Sequence, residues 1–320
     1  MEKNLTMTYY DMEADSGSAV KATCISCSYV TVSSNFKVIE EGTFNSRLRK
    51  SRAFEVDAML AHNIPLSKIS FEDGSEELSN GQLVDKLEAK FIELAKKGTI
   101  FVGYNSSGYD QILLNHMLHL NLKWPYITSR EQFDLLPAVR AASVFEPKAL
   151  NYLTNFKGNT SYKLQDMIKA NNIKSEVAHD SLWDTRSTKD LGHILFQNAP
   201  EVFNASIALR KKEDVLPRIK DDIFCWNEFF FAKGKVFCGC YLGSTIYPNW
   251  HYLFDLRQSP EEIIPIMNNR EKLTYLPKIT AYPCNKDKPF IFLSFTTCKR
   301  LDLFKQTIHS ILNHWGDLKQ

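Results

Sequence analysis

The chain has 320 residues, 44% of them hydrophobic and 24% charged, with a formal net charge of +2. This is an ordinary globular composition, long enough for one large domain or two or three smaller ones. The near-neutral charge neither demands nor excludes a polyanionic partner, since a basic groove can sit on a balanced surface. No stretch approaches the roughly 18 apolar residues of a membrane span, and "MEKNLTMTYYDMEAD" lacks the basic and apolar regions of a signal peptide, so no membrane partner is expected. Seven cysteines without regular spacing suit a reducing, intracellular, cytoplasmic setting.

Taken in chain order, "LTMTYYDME" is rich in β-branched and aromatic residues and reads as a first strand. "VKATCISCSYVTV" and "FKVIEEGTF" read as the next two, joined as a hairpin by the turn "SSN". "AFEVDAMLAHN" has the look of a short helix. "SNGQLVDKLEAKFIELAKKG" is the clearest helix: Ser79 and Gln82 form a capping box, and Leu83, Leu87, Phe91 and Leu94 make an apolar stripe. "TIFVGYN" is a short buried strand, followed by a helix from about Asp110 to Leu120. "REQFDLLPAVRAAS" is expected as a helix kinked or bounded by Pro137. "SYKLQDMIKANN" places Leu164, Met167 and Ile168 on one helical face, and "SLWDTRSTKDLGHILFQN" is the last helix of this part.

Past residue 200 the pattern changes. "ALRKKEDVLPRIKDD" is charged and reads as a linker with room for a helical turn. "WNEFFFA", "KVFCGCYLG", "HYLFDL" and "KITAYP" are short β-like runs that suggest a small antiparallel barrel or sandwich, with "SPEEIIPIM" as a short helix among them.

Three short patterns carry chemistry. Asp11 and Glu13, two apart on a strand, share a face. Carboxylates held side by side repel, and a divalent cation relieves that cost; oxygen-only ligands point to Mg2+ or Mn2+. Asp110 opens a helix after "GYNSSGY" and on its own reads as an N-cap. In "AHDSLWDT", Asp180 or Ser181 caps a helix, His179 precedes the cap and Asp184 falls one turn in. A histidine near its ordinary pKa can take a proton from water. Each pattern alone is more simply a solvated strand end or a capped helix.

The three in this order resemble the DEDDh (DnaQ-like) family of 3'→5' exonucleases. Within it, "GYNSSGYDQILLNHMLH", "FDLLPAVRAA" and "SYKLQDMIKANNIKSEVAHDSLWDT" are similar to the exonuclease I branch, with weaker similarity continuing to about residue 292. The resemblance implies an α/β fold, an RNase H-like mixed sheet flanked by helices over residues 1–200. A linker over 201–222 and a small β-rich Src-homology-3-like barrel over 223–294 would follow. It implies two Mg2+ or Mn2+ ions, about 3.5–4 Å apart, with Asp11, Glu13 and Asp184 on one ion, Asp11 bridging, Asp110 in support and His179 as general base. The implied substrate is the 3' end of single-stranded DNA, released as 5'-mononucleotides; an exoribonuclease or a non-catalytic binding module are the alternatives. Glu13, Lys163, Tyr104 and Asn105 would contact substrate. Lys163 stands where the family has an arginine, keeping the charge without the bidentate geometry. Tyr104, Tyr109, Trp124 and Tyr162 are candidate stacking surfaces, although most aromatics pack in cores.

Cys24 and Cys27, three apart on a strand, are expected on opposite faces, and Cys238 and Cys240 on one; both pairs read as structural thiols rather than zinc ligands. The tail over residues 295–320 resembles the opening strand and helix of a nucleotide-sugar glycosyltransferase.

Overall fold

A computed structural model describes residues 5–49, 53–62, 64–67, 69, 77–128, 131–174, 180–220, 223–230, 233–244, 250–256 and 280–283. Contacts divide the chain into two compact units that meet in sequence between Arg210 and Lys211.

The first unit is built on a five-stranded sheet in the order β3-β2-β1-β4-β5. The strands are β1 (Met7–Ala14), β2 (Cys24–Val32), β3 (Val38–Asn45), β4 (Ile100–Gly103) and β5 (Gln132–Asp134). β1 to β3 form an antiparallel meander, whereas β4 and β5 run parallel to β1. The helices are α1 (Val56–Ala61), α2 (Asn80–Lys96), α3 (Asp110–Leu120), α4 (Leu135–Phe145), α5 (Leu164–Ala170), α6 (Ser181–Asn198) and α7 (Pro200–Ala208).

Period-two alternation decides what each face of β1 does. Tyr10, Met12 and Ala14 join one core cluster with Leu83, Leu87 and Phe91 of α2 and Leu113, Leu114 and Met117 of α3. The opposite face, carrying Tyr9, Asp11 and Glu13, meets α6. The capping box of α2 forms as expected: Ser79 accepts from the Gln82 backbone and the Gln82 side chain accepts from Ser79 N–H.

Three expectations need correction. "REQFDLLPAVRAAS" is not one helix: Gln132–Asp134 pair with β4 as the edge strand, and Asp134 then caps α4 by accepting from Leu136 N–H at 3.1 Å. Pro137 sits in the first turn of α4, where no intrahelical donor is lost. The stretch read as a linker contains the boundary between the two units and is helical on both sides of it, with α7 burying Val202 and Phe203 before it and α8 (Lys212–Lys220) after it. Cys24 and Cys27 share a core cluster rather than facing apart. The cause is a β-bulge between Glu13 and Ala14: Glu13 pairs with Ser26 but Ala14 with Cys24, so Ile25 is the extra residue. Finally, the N-cap of α3 is Tyr109, and Asp110 is the first helical residue.

The second unit contains β6 (Phe224–Phe230), β7 (Lys233–Ser244), β8 (Trp250–Asp255) and β9 (Thr280–Pro283), an antiparallel meander in sequence order. Trp226 stacks on Phe237 at 5.2 Å in its core. Cys225 lies opposite Cys238 in the β6–β7 register. "SPEEIIPIM" and the tail lie outside the described residues. No helix among those described is long and apolar enough to cross a membrane.

Candidate active site

β1 pairs with β4 only from Met7 to Tyr9. Beyond that point β4 has ended at Gly103, where an added Cβ would lie 2.4 Å from Ser106 Cβ, so the chain turns away tightly. Asp11 and Glu13 therefore stand on a stretch of β1 that keeps β2 on one side and has lost β4 on the other. Met12 N–H, left without a strand partner on that side, donates to Asp110 Oδ1 at 3.1 Å. This strand amide fixes the buried Asp110 carboxylate at the N-terminus of α3.

α6 brings the third carboxylate. Asp180 caps it by accepting from Leu182 and Trp183 N–H at 3.0 and 3.1 Å. Ser181 Oγ lies 2.7 Å from both Ser26 Oγ and Ser28 Oγ, the β2 residues that pair with Glu13 and Asp11. Three hydroxyls thus seat the first turn of α6 on the strand beside the carboxylates. Farther along, a Cβ on Gly192 would meet Tyr9 Oη at 2.7 Å, so glycine is what lets α6 lie this close to β1. Ser181, Thr185, Thr188 and Gly192 are all buried at helical spacing, a small-residue stripe against the sheet.

The outcome is that Asp11, Glu13 and Asp184 each offer a carboxylate oxygen, and all of these lie within 4.8 Å of one another. Burial, followed by the negative charges of Asp110, Glu13 and Asp184, pushes Asp11 well above the ordinary carboxylate range. Glu13 is pushed up to about 8, by burial first and then by Asp184 and Asp110. Asp110 rises to about 7 through burial, partly offset by its backbone hydrogen bonds. Such a set costs free energy when ionised, and an oxygen-ligated divalent cation is the group that lowers that cost. The donor set fits Mg2+ or Mn2+.

The remaining expected residues are distributed as follows. Asp110 is near enough to raise its neighbours yet is not one of the three clustered carboxylates. His179 lies outside the described residues. Lys163 is exposed at the N-cap of α5. Tyr104 donates its hydroxyl to Tyr162 C=O at 2.6 Å, tying the end of β4 to the segment that enters α5. Asn105 is exposed with φ 59°, and its N–H donates to Asp134 Oδ1 at 2.8 Å. Tyr109 donates to Ser16 C=O, and the Tyr162 hydroxyl bonds Ser143 Oγ at 2.9 Å, so both are structural anchors. Trp124 is 68% exposed but follows the C-terminal end of α3, about 15 Å of helix away from Asp110.

Two supporting residues escape sequence reasoning. Gln165 Nε2 donates to Asp184 Oδ1 at 2.9 Å. Asp134 accepts from Asn105 N–H, Ser107 N–H and Ser107 Oγ, fixing the loop between β4 and α3. Neither has a spacing signature. The stripe from Ser181 to Gly192, by contrast, is visible as a run of small residues at intervals of four, three and four.

A mixed sheet flanked by helices is the fold this chain shares with solved exonuclease I structures. The chain is similar in sequence to proteins named exodeoxyribonuclease I and similar in fold to exonuclease I. It is 28% identical over 126 residues to exodeoxyribonuclease I of Buchnera aphidicola subsp. Acyrthosiphon pisum, which is 38% of this chain and 30% of that relative. It is 27% identical over 125 residues to exodeoxyribonuclease I of Escherichia coli, covering 38% of this chain and 26% of that relative. In both, the match spans less than a third of the relative's length. The solved structure of Escherichia coli exonuclease I with a dA16 oligonucleotide superposes with a TM-score of 0.70 at 18% identity, over 98% of this chain and 71% of that one. No family model matches.

Proposed function

We propose that this chain is a metal-dependent exonuclease that removes 5'-mononucleotides from the 3' end of single-stranded DNA. The observation that carries the reading is the triad Asp11, Glu13 and Asp184, three carboxylate oxygens within 4.8 Å on a face built from β1 and α6. The sequence relatives, named exodeoxyribonuclease I, support the reaction class, and a structural neighbour holds a DNA oligonucleotide.

In this reading Asp11, Glu13 and Asp184 would hold a divalent cation, and Asp11 would also be available to a second. Bound cations would neutralise phosphate charge and lower the pKa of water. The chain's own residues do the rest. Gln165 holds one oxygen of Asp184. Asp110, fixed by Met12 N–H, would help to hold the second cation. His179, next to the α6 cap in sequence, is the assigned base for the attacking water. Glu13, Lys163, Tyr104 and Asn105 are the assigned neighbours of the terminal nucleotide, Tyr104 through its ring since its hydroxyl is engaged. Residues 1–200 are assigned as the nuclease domain and 223–294 as a Src-homology-3-like barrel, for which the β6–β9 meander is the support.

Single-stranded DNA and RNA labelled at either end, incubated with Mg2+ or with chelator, test this. Mg2+-dependent mononucleotide release from DNA, shortening 5'-labelled strands progressively, is expected. No release from either polymer sinks the nuclease reading; faster release from RNA reassigns the substrate.

A further inference from the structure

Phe156 is 94% exposed. A single solvent-facing apolar residue is commonplace, but the turn that displays this one is fully tied. Asn155 Oδ1 accepts from Lys157 N–H and Asn159 N–H at 2.9 and 3.1 Å. Asn155 N–H donates to Asn159 C=O at 2.8 Å and Gly158 N–H to Asn155 C=O at 2.9 Å. Gly158 takes φ 72°, and Thr154 bridges Thr160 across the base of the turn. The backbone under Phe156 is therefore fixed, and the ring is held out by a rigid support instead of a slack loop. Lys157 Nζ sits 5.5 Å from the ring centroid, so a flat apolar surface and a cation are presented together.

The outgoing leg of the turn leads to the site. Ser161 N–H returns to Leu153 C=O at 2.8 Å. Tyr162 is held by Tyr104 at the end of β4. Lys163 is exposed, and Gln165 grips Asp184. Phe156 and Gln165 are nine positions apart, a reach of at most about 30 Å.

We propose that Phe156 and Lys157 form an accessory post for single-stranded DNA, the ring stacking on a base and the ammonium meeting a neighbouring phosphate, on the strand still to be degraded. Aromatic stacking tolerates any base, and a cation beside the ring matches a polyanion's alternation of flat bases and charged links. This rests on the exonuclease reading.

The test is fluorescence anisotropy of the full chain with an oligothymidylate of about 20 nucleotides, in chelator so that no turnover occurs. Phe156→Ala raises Kd at least about fivefold and Phe156→Trp restores it, as loss and return of one stacked base require. Lys157→Gln reduces the slope of log affinity against log salt by about one. Leu60→Ala, which removes an exposed apolar group on α1, leaves Kd unaltered. Equal Kd for Phe156→Ala and the parent chain, or failure of tryptophan to restore binding, overturns the post while leaving the exonuclease intact. A parent chain that neither binds nor degrades the strand removes both.

Discussion

Asp184 is held from two directions: the backbone of α6 sets its depth and Gln165 takes one of its oxygens at 2.9 Å. Gln165→Ala should weaken Mn2+ binding, read by calorimetry, by about 10- to 100-fold, the usual effect of losing an outer partner of a ligand. Gln165→Glu replaces that donor with a further negative charge beside Asp184, so in chelator this variant should melt below Gln165→Ala, and Mn2+ should recover more of the loss. The triad itself predicts opposite effects on stability and turnover. Asp11→Asn removes one of the mutually repelling charges, so the cation-free protein should melt higher than the parent. The same change should abolish Mg2+-dependent turnover and most of the thermal gain from Mg2+. A lower melting temperature in chelator would contradict the repulsion argument; full turnover would contradict the metal assignment.

At the scale of elements, α6 decides whether a cluster exists at all. Its docking is polar at the start, through Ser181 to Ser26 and Ser28, and depends on close approach farther on, where Gly192 faces Tyr9. Gly192→Ala should cost about 1–3 kcal/mol, despite alanine's better helix propensity, since Tyr9 is buried and has little room to yield. Displacement of α6 would also lower Mn2+ affinity. α2 offers a contrast. Ser79→Ala breaks its capping box and should cost about 1 kcal/mol in denaturant unfolding, with Mn2+ affinity unaltered, because α2 packs on the face of the sheet away from the carboxylates.

For the whole molecule, the raised carboxylates tie stability to pH. Folded Glu13 keeps its proton up to about pH 8 and Asp110 to about pH 7, while unfolded carboxylates release theirs near pH 4. The folded state therefore binds more protons across that interval, and the cation-free protein should lose stability as pH rises from about 4 to 8. Mg2+ should stabilise more at pH 8 than at pH 6, because it no longer competes with protons; melting curves at the two pH values, with and without Mg2+, measure this.

Much of this was legible in the sequence, for physical reasons. Period-two alternation placed Asp11 and Glu13 together, and the stripe and cap of α2 gave its bounds. The bulge after Glu13 was not legible, since only pairing with β2 reveals the extra residue Ile25. β5 was missed because a three-residue edge strand gains its identity from β4, not from its own propensity. Gln165 was missed because nothing local separates a glutamine facing solvent from one facing Asp184.

β1 outruns β4, and Asp110 supplies the acceptor that a neighbouring strand would have provided to Met12 N–H. One side chain thus completes a sheet and charges a site. Asp110→Ala would leave an inner amide bare and loosen the backbone between Asp11 and Glu13, so lost activity in that variant says little about charge. Asp110→Asn keeps a carbonyl oxygen for the amide and removes only the negative charge. The difference between these two substitutions, rather than either alone, separates scaffold from chemistry at this position.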